Sequence, residues 1–314
     1  MRKKAFLQLA LGGISLSLLA SCGPQSGALP ISSGSSAPIG VTAANTELGQ
    51  ARAYQSAGKT RKAVSAYKDI IKSYPYTDAS GEARFSLARL YDQEGNLLKA
   101  FEAYQGLISQ HPGSHRYATA IQRQETVAHS AANGIIKNNF LGMKTRISPE
   151  KTEKMLIQVR ENAPRAVSAS KAQFAIGRIW QQEGYAEKSI AAYQKISTDY
   201  ATSSHAPESL YQTGQILILK SERGNQNKAN VNRARHIFTD LIQRFPMHRR
   251  AADARKRLAM LSGQDIQRSY DTAEFYQKKG KTQSAIFYYR EVLRMSKSGA
   301  LHNQAKQRIT ELGG

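Results

Sequence analysis

The sequence predicts an all-α superhelical solenoid of about six helix pairs, one of them degenerate. The first observation is a recurring pattern of an aromatic residue, a glycine, a small residue and a second aromatic residue. The pattern occupies four stretches: 54–67, 91–104 and 276–289, and a variant with Trp and Ser at 180–193. The second observation is a step of 37 residues, from Tyr54 to Tyr91. The third is a proline that follows the second aromatic residue of the pattern and recurs at the same step, as Pro75 and Pro112.

Each position of the pattern has a physical role in a helix–turn–helix unit. The glycine ends the first helix, because it adopts the left-handed conformation without a Cβ clash. The small residue allows the two helices to cross closely, and the aromatic residues fill the space between them. Proline ends the second helix, because it lacks an N–H group. The pattern is similar to the tetratricopeptide repeat, a unit of about 34 residues, here with a longer turn between pairs.

The spacing of the pattern divides the chain into repeats. The predicted repeats cover 46–76, 80–112, an irregular unit at 115–164, 168–201, 206–246 and 264–297, followed by a terminal helix at 300–312. The irregular unit carries an insertion near 138–148, with a helix starting at Ser148-Pro149. We also predict a loop at 221–230 in the fifth repeat and a long helix that begins at Gln264.

The first 21 residues have the features of a secretory signal. A basic start is followed by an apolar run from Ala5 to Ala20, which is too short to span a bilayer, and then by Cys22. Cys22 is the single cysteine, so an intramolecular disulfide is impossible. Residues 19–22 resemble the lipobox of bacterial lipoproteins, which implies cleavage before Cys22 and its lipidation. We therefore predict a signal peptide at 1–21.

Residues 22–45 are rich in Gly, Ser, Pro and Ala, and we predict a flexible tether there. The chain carries 45 Lys+Arg and 23 Asp+Glu, a net charge of +22. Without Arg2, Lys3 and Lys4 of the leader, the mature chain carries +19. Such a charge concerns partners rather than fold. Nucleic acid would be the first partner considered for a cytosolic chain, but the leader argues against nucleic acid.

The lipobox, the tether and the 37-residue step together resemble the tetratricopeptide-repeat lipoproteins of the outer-membrane β-barrel assembly machinery, the BamD/YfiO family. The local sequences that carry this resemblance are 63–75, 241–246, 253–258 and 273–286. The chain departs from that family in two respects. It shows six helix pairs instead of five, and Lys297 stands where the last inter-repeat proline is expected.

The resemblance implies a function and a location. It implies a lipid-anchored protein on the periplasmic face of the outer membrane, since Gly23 rather than an inner-membrane retention Asp follows Cys22. It also implies a scaffold that binds other β-barrel assembly components and unfolded β-barrel substrates, including the C-terminal peptides of outer-membrane proteins. Two alternatives remain open: a periplasmic adaptor for cell-wall or envelope machinery, and a protein that binds polyanions such as lipopolysaccharide or anionic lipid.

The sequence contains no recognisable catalytic or metal-binding motif. His111 and His115 are four residues apart, but Pro112 and Gly113 between them prevent a shared helix face. Neither a His-Glu-x-x-His run nor a phosphate-binding glycine loop is present. We therefore expect a non-enzymatic protein without a cofactor or a metal.

One recurring constellation suggests a peptide groove on the concave face, which the first helices of such pairs line. Arg52, Arg89 and Arg178 each lie two residues before a motif aromatic residue. Aromatic residues stand six positions before the motif aromatic position, which is one helical turn before the arginine position on the same face. They are Phe85, Phe174, Tyr211 (by the 37-residue step from Phe174) and Tyr270. We predict that these arginines and exposed rings bind a peptide that ends in an aromatic residue and a free carboxylate. The alternative is that the rings belong to the core and the arginines are solvated or paired with Glu.

Overall fold

The computed structural model describes residues 36–134, 138–140, 143–223 and 228–314. These residues form thirteen helices and one two-stranded hairpin. The elements are α1 (Ser36–Ser56), α2 (Thr60–Ser73), α3 (Asp78–Gln93), α4 (Leu97–Gln110), α5 (Tyr117–Ala132), β1 (Asn138–Phe140), β2 (Met143–Thr145), α6 (Pro149–Asn162), α7 (Val167–Gln182), α8 (Ala186–Asp199), α9 (Ala206–Arg223), α10 (Lys228–Arg244), α11 (Arg249–Lys278), α12 (Thr282–Met295) and α13 (Ala300–Glu311).

Consecutive helices pack against one another along the whole described chain, from α1 on α2 to α12 on α13. The predicted solenoid of six helix pairs with a terminal helix is therefore confirmed. The hairpin, in which β1 pairs antiparallel with β2, lies in the predicted insertion and departs from the otherwise helical fold of the described residues. Among the described residues, no helix combines the length and the apolar character needed to cross a bilayer.

The pattern glycines form the turns that the sequence predicts. Gly58, Gly95, Gly184 and Gly280 have φ between 69° and 79°, a left-handed conformation that favours glycine. In each of these turns, a backbone N–H just after the glycine donates to a carbonyl of the preceding helix, as Asn96 does to Tyr91 at 2.7 Å. These bonds satisfy carbonyl groups at the helix end.

The small and second aromatic residues of the pattern form the interior of each pair. The small residues are fully buried: Ala63, Ala100, Ser189 and Ala285. So are the second aromatic residues, which lie at most 1 % exposed: Tyr67, Tyr104, Tyr193 and Tyr289. The first helix also contributes a small residue at the crossing. A Cβ on Gly177 would lie 2.5 Å from the Tyr193 ring, and one on Gly214 would lie 2.5 Å from the Phe238 ring.

The degenerate third pair, α5 and α6, is joined to its neighbours by amide side chains. Gln124 is 1 % exposed and donates to Gln105 Oε1 at 2.6 Å. Asn162 donates to Gln105 Oε1 at 2.8 Å and to Gln124 Oε1 at 2.7 Å. Ser148 caps α6 by accepting a hydrogen bond from the Lys151 N–H, and Pro149 occupies the first turn, as predicted.

The N-terminal boundary of the solenoid differs from the prediction. Residues 36–45 of the predicted tether belong to α1, which begins at Ser36. The physical reason is burial, since Ala44 is fully buried and Leu48 is 5 % exposed in the same core as α2 and α3. The signal peptide, Cys22 and tether residues 22–35 lie outside the described residues.

Two helix boundaries in the C-terminal half also correct the prediction. The expected loop at 221–230 is helical at 221–223 and 228–230, because α9 and α10 extend into it. The helix expected to begin at Gln264 instead begins at Arg249 and runs for thirty residues. By the 37-residue step Ser221 takes the position of Gly184, and α9 continues through it. In α11 the helix continues through Gly263, because residues on both sides of that glycine, such as Ala254, Leu261 and Tyr270, are buried.

Candidate functional site

The first helices of the pairs contact one another and form one side of the solenoid, which we call the first-helix face. Contacts join α1 with α3, α5 with α7, and α9 with α11. The predicted groove residues all lie on these helices. The first-helix face therefore contains the whole of the predicted groove.

The predicted groove rings belong largely to the core. Phe85 is 6 % exposed and Tyr211 is 8 % exposed, whereas Phe174 is half-buried. Each ring packs on a ring of the second helix, at centroid distances of 5.3–6.0 Å: Phe85 on Tyr104, Phe174 on Tyr193, Tyr211 on Phe238 and Tyr270 on Tyr289. The expectation that these rings are exposed is wrong for Phe85, Tyr211 and Tyr270. Each of them is buried because it packs against an aromatic ring of the second helix in its pair.

The three predicted arginines have different surroundings. Arg52 pairs with Glu82 at 2.7 Å, across the junction between the first two repeats. Arg178 donates to Asn133 Oδ1, so it is tied to the third pair. Arg89 is exposed and has no ion-pair partner among the described residues. Of the three, Arg89 therefore presents the most accessible guanidinium group on the first-helix face.

Glu82, on α3, organises the junction between the first three repeats. Its carboxylate binds Arg52, His115 at 3.0 Å and Arg116 at 2.9 Å. Burial opposes ionisation of this carboxyl group, but the hydrogen bond and charge of Arg116, with the charges of His115 and Arg52, hold its pKa below the ordinary value. The Arg116 guanidinium also lies 5.0 Å from the Phe85 ring centroid, so it covers the ring that the groove prediction left open.

Glu208, on α9, forms the same arrangement between the fifth repeat and α11. Arg250 donates to both of its oxygens, at 2.7 and 2.9 Å, and lies 4.4 Å from the Tyr211 ring centroid. Burial raises the pKa of Glu208, but the hydrogen bonds from Arg250 and Gln212 and the nearby arginine charges leave it below the ordinary value. At each of these two junctions, therefore, an arginine side chain pairs with a carboxylate and packs over an aromatic ring.

His205 occupies the equivalent place between the fourth and fifth repeats. Its ring stacks on Phe174 at 5.2 Å, with 17° between the planes. Burial and the charge of Lys171 lower the pKa of His205, so this covering group is uncharged at neutral pH. Sequence reasoning missed Glu82, Arg116, His205, Glu208 and Arg250. A spacing could have found two of them, Arg116 and His205, since each lies 31 residues after a predicted ring, Phe85 or Phe174. Arg250 lies 39 residues after Tyr211, so this spacing would have missed it.

A second charged group lies beside His205 on the first-helix face. Lys171 binds Glu125 at 2.8 Å, and His129 Nε2 lies 3.8 Å from the same Glu125 carboxylate. Burial, followed by the charge of Lys171, lowers the pKa of His129 to about 4. His129 is therefore neutral at physiological pH. No group of three or more His, Cys, Asp or Glu side chains that could hold a metal ion occurs in the described part of the chain.

The first-helix face presents fixed carboxylates and guanidinium groups in repeating positions, with an accessible cation at Arg89. Such groups can pair with charged side chains and with a peptide terminus.

Two family models match the chain. A tetratricopeptide-repeat model matches residues 48–115, and the model of the outer membrane lipoprotein family YfiO matches residues 150–305, about half of the chain. A search of curated proteins finds no match.

Many solved structures share the helical-repeat architecture at low sequence identity. They include a tetratricopeptide protein from Parabacteroides merdae, at 12 % identity, covering 87 % of this chain and all of that chain, with a TM-score of 0.32. YrrB, described as a protein with an unusual peptide-binding site, has 13 % identity, covers 67 % of this chain and 90 % of that chain, and has a TM-score of 0.31.

The two family models together span the solenoid from α1 into α13. The repeat pattern, its glycine turns and its buried small residues agree with the first model, and the C-terminal half agrees with the second. The protein is therefore a tetratricopeptide-repeat protein of the YfiO-like outer membrane lipoprotein type.

Proposed function

We propose that this protein is a non-enzymatic scaffold of outer-membrane protein assembly. It is anchored on the periplasmic face of the outer membrane through a lipid on Cys22 and binds other components of the β-barrel assembly machinery. The observation that carries the proposal is the match of residues 150–305 to an outer membrane lipoprotein family. The helical-repeat fold supports it, since stacked repeats build an extended surface for partners.

The proposed anchor can be tested by changing Cys22. The Cys22→Ser variant should leave the membrane fraction and keep its helical content, because the lipid and not the fold holds the chain there. Membranes washed at high salt, followed by circular dichroism of the released protein, provide the measurement. If the variant stays with washed membranes, the lipoprotein assignment is wrong.

The proposed partners can be identified by purifying the lipidated protein from its own membrane. Recovery of a large outer-membrane β-barrel protein at stoichiometric yield supports the assembly scaffold. Recovery of peptidoglycan enzymes instead supports an envelope adaptor and contradicts the proposal. A polyanion ligand, which the excess of cations would favour, is recognised by a steep loss of binding as salt is raised.

We further propose that the first-helix face binds the C-terminal peptides of outer-membrane proteins. The support is the exposed Arg89 guanidinium, whose position in the repeat Arg52 and Arg178 share. A peptide carboxylate can accept two hydrogen bonds from a guanidinium. Phe85, Tyr211 and Tyr270 are buried. The half-buried Phe174, with His205 stacked on it, is therefore the most accessible of the four predicted rings for the peptide's aromatic residue.

Fluorescence anisotropy with labelled peptides tests the groove. We expect weak binding, because a flexible peptide loses conformational freedom when it docks. A free-acid peptide should bind more tightly than its amidated form, and Arg89→Glu should remove that difference. Arg61→Glu, an exposed change on α2, is the matched control. Equal binding of both peptides to the parent and to Arg89→Glu would contradict the groove without affecting the partner proposal.

A further inference from the structure

Two exposed phenylalanines lie on the helices that flank the turn between α11 and α12. Phe275 is 55 % exposed and Phe287 is 59 % exposed. Two tyrosines connect them, because Tyr276 and Tyr288 stack at 5.5 Å with 6° between their planes. Phe275 lies 5.5 Å from Tyr276, and Phe287 lies 5.3 Å from Tyr288. The four rings form a continuous surface, which we call the aromatic tip.

Phe275 is exposed at a position that is buried in the second and fourth repeats. The residue one position before the motif aromatic residue is Leu90 in α3 and Ile179 in α7, and both are buried. Phe275 lies about 39 Å along α11 from Arg249, at 1.5 Å per residue. The seventeen residues of α10 extend only about 25 Å from the start of α11. The unbroken helix therefore takes the aromatic tip beyond the cover of the preceding pair.

The surface beside α11 shows where the packing of the fifth repeat against this helix ends. An open cleft of about 750 Å³ lies between the end of α9, the start of α10 and the middle of α11. Leu261 and Arg268 of α11 line it, as does Met295 of α12. Packing from the fifth repeat thus ends at this cleft, one to two helical turns before Phe275.

Exposed lysines surround the aromatic tip. Lys278, Lys279 and Lys281 are exposed in the turn, and none has an ion-pair partner among the described residues. The Lys279 Nζ atom lies 5.9 Å from the Phe275 ring centroid. The acidic residue that follows on α12, Glu291, is already paired with Arg294 at 2.6 Å. The tip therefore combines exposed phenylalanine rings with three lysines, which outnumber the one carboxylate adjacent to Phe275, that of Glu274.

We propose that the aromatic tip docks on the surface of an anionic lipid bilayer. Phenylalanine rings enter the boundary between headgroups and acyl chains, while lysine stems reach back to the headgroups. Each lysine near such a surface is attracted by its negative potential. Lysine, a hydrated point charge, suits the mobile phosphates of lipids better than the fixed geometry of one partner's carboxylates. The aromatic tip belongs to the last helix pair, α11 and α12, and its contact with lipid does not depend on the proposed anchor.

A local fluorescence reporter in the full chain separates the tip from the anchor. The native Trp180 is 1 % exposed, so an introduced tryptophan reports separately. Phe275→Trp places the reporter on the tip. Tyr76→Trp is the control, since Tyr76 is 92 % exposed in the turn after α2, away from the aromatic tip. The probes are vesicles of phosphatidylcholine alone or mixed with phosphatidylglycerol, each containing lipids brominated in the acyl chains.

We expect bromine to quench the Phe275→Trp emission in phosphatidylglycerol vesicles, and to quench the Tyr76→Trp emission far less. Adding Lys279→Glu and Lys281→Glu should lower the apparent vesicle affinity at the tip by at least about tenfold. Adding Arg255→Glu and Lys256→Glu, the same charge change on another exposed part of α11, should leave tip quenching unchanged. Circular dichroism checks that every variant folds.

Three results would overturn the proposal. One is equal quenching of the two reporters, and another is equal quenching of the tip in charged and uncharged vesicles. The third is a change in the Phe275→Trp emission when soluble glycerol phosphate is added, without any quenching by brominated chains. That result would indicate that the tip binds a free anion rather than a bilayer. If the lysine variants fail to fold, the comparison of the two reporters in the parent chain still decides.

Discussion

The Arg250 guanidinium lies 4.4 Å from the Tyr211 ring centroid and donates two hydrogen bonds to Glu208. One side chain of α11 thus holds both a carboxylate and a ring of α9, 39 residues or more away in the chain. These contacts raise the pKa of Arg250, with the Glu208 hydrogen bond as the main cause, despite some burial. A partly buried, bidentate pair of this kind contributes more than an exposed ion pair.

We therefore predict that Arg250→Ala lowers the free energy of unfolding by about 1–3 kcal/mol, because Glu208 loses charged hydrogen bonds. Arg249→Ala is the matched control. Its side chain is 77 % exposed and lies 3.8 Å from Glu208, so the change should stay within about 0.5 kcal/mol. Urea unfolding followed by circular dichroism measures both. Equal effects would show that Arg250 is an ordinary surface arginine.

Two helical glycines provide a matched test of close helix packing. Gly177→Ala should destabilise the protein by about 1–3 kcal/mol, because its Cβ would lie 2.5 Å from the Tyr193 ring. Gly263→Ala has no atom within 4 Å and should stabilise α11 by about 0.5–1 kcal/mol. Thermal unfolding should thus move in opposite directions for the two variants. A stabilising Gly177→Ala would contradict the crossing described for the fourth repeat.

The second repeat lacks a hydrogen bond that three other repeats have. A tyrosine hydroxyl of the second helix donates to a glutamine twelve residues earlier: Tyr67 to Gln55, Tyr193 to Gln181 and Tyr289 to Gln277. In the second repeat the shorter Asp92 takes the glutamine position, and the buried Tyr104 hydroxyl has no partner in the described structure. Burial, followed by the charge of Asp92, raises the pKa of Tyr104 to about 12.

We predict that Asp92→Gln stabilises the protein by about 1 kcal/mol, because it completes this hydrogen bond. Tyr104→Phe should be nearly neutral, since its hydroxyl is unpaired, whereas Tyr193→Phe should cost about 1 kcal/mol by leaving Gln181 without its donor. Denaturant unfolding of the three variants measures the differences. A larger loss from Tyr104→Phe than from Tyr193→Phe would refute this explanation.

The buried His129 makes stability depend on pH. Its pKa of about 4 in the folded protein lies below the ordinary value of 6.5, so the unfolded chain binds the proton first as pH falls. The free energy of unfolding should therefore decrease as pH falls from about 6.5 to about 4, by at most about 1.4 kcal/mol per pH unit from this group. Carboxylates with lowered pKa, such as Glu82, lose their stabilisation at lower pH, below about 4.5.

His129→Gln should flatten this slope, because glutamine does not titrate. The measurement is the difference in unfolding free energy between variant and parent at several pH values from 4 to 7. Subtracting the parent removes the contributions of His205 and of the carboxylates, which both proteins share. A difference that does not change with pH would show that His129 does not titrate in this window.

Local signals in the sequence determined the helix pairs. Gly95 and the other pattern glycines end first helices, Pro112 follows a second helix, and Ala100 fits a helix crossing. These features act within about 37 residues, so the sequence displays them directly. Proline at the first helical position likewise predicted the helix start at Ser148-Pro149, and the terminal helix predicted at 300–312 lies at Ala300–Glu311.

The tertiary structure decided which residues are accessible. Phe85 and Phe275 are both aromatic residues of first helices, yet one is covered by Tyr104 and Arg116 while the other is exposed. The cover of Phe85 comes from residues 19 and 31 positions away, and burial depends on such contacts between repeats rather than on the local pattern. The exposure of Phe275 follows from the unbroken α11, which carries it past α10. The sequence thus specified each unit, whereas the stacking of units determined the surface available for binding.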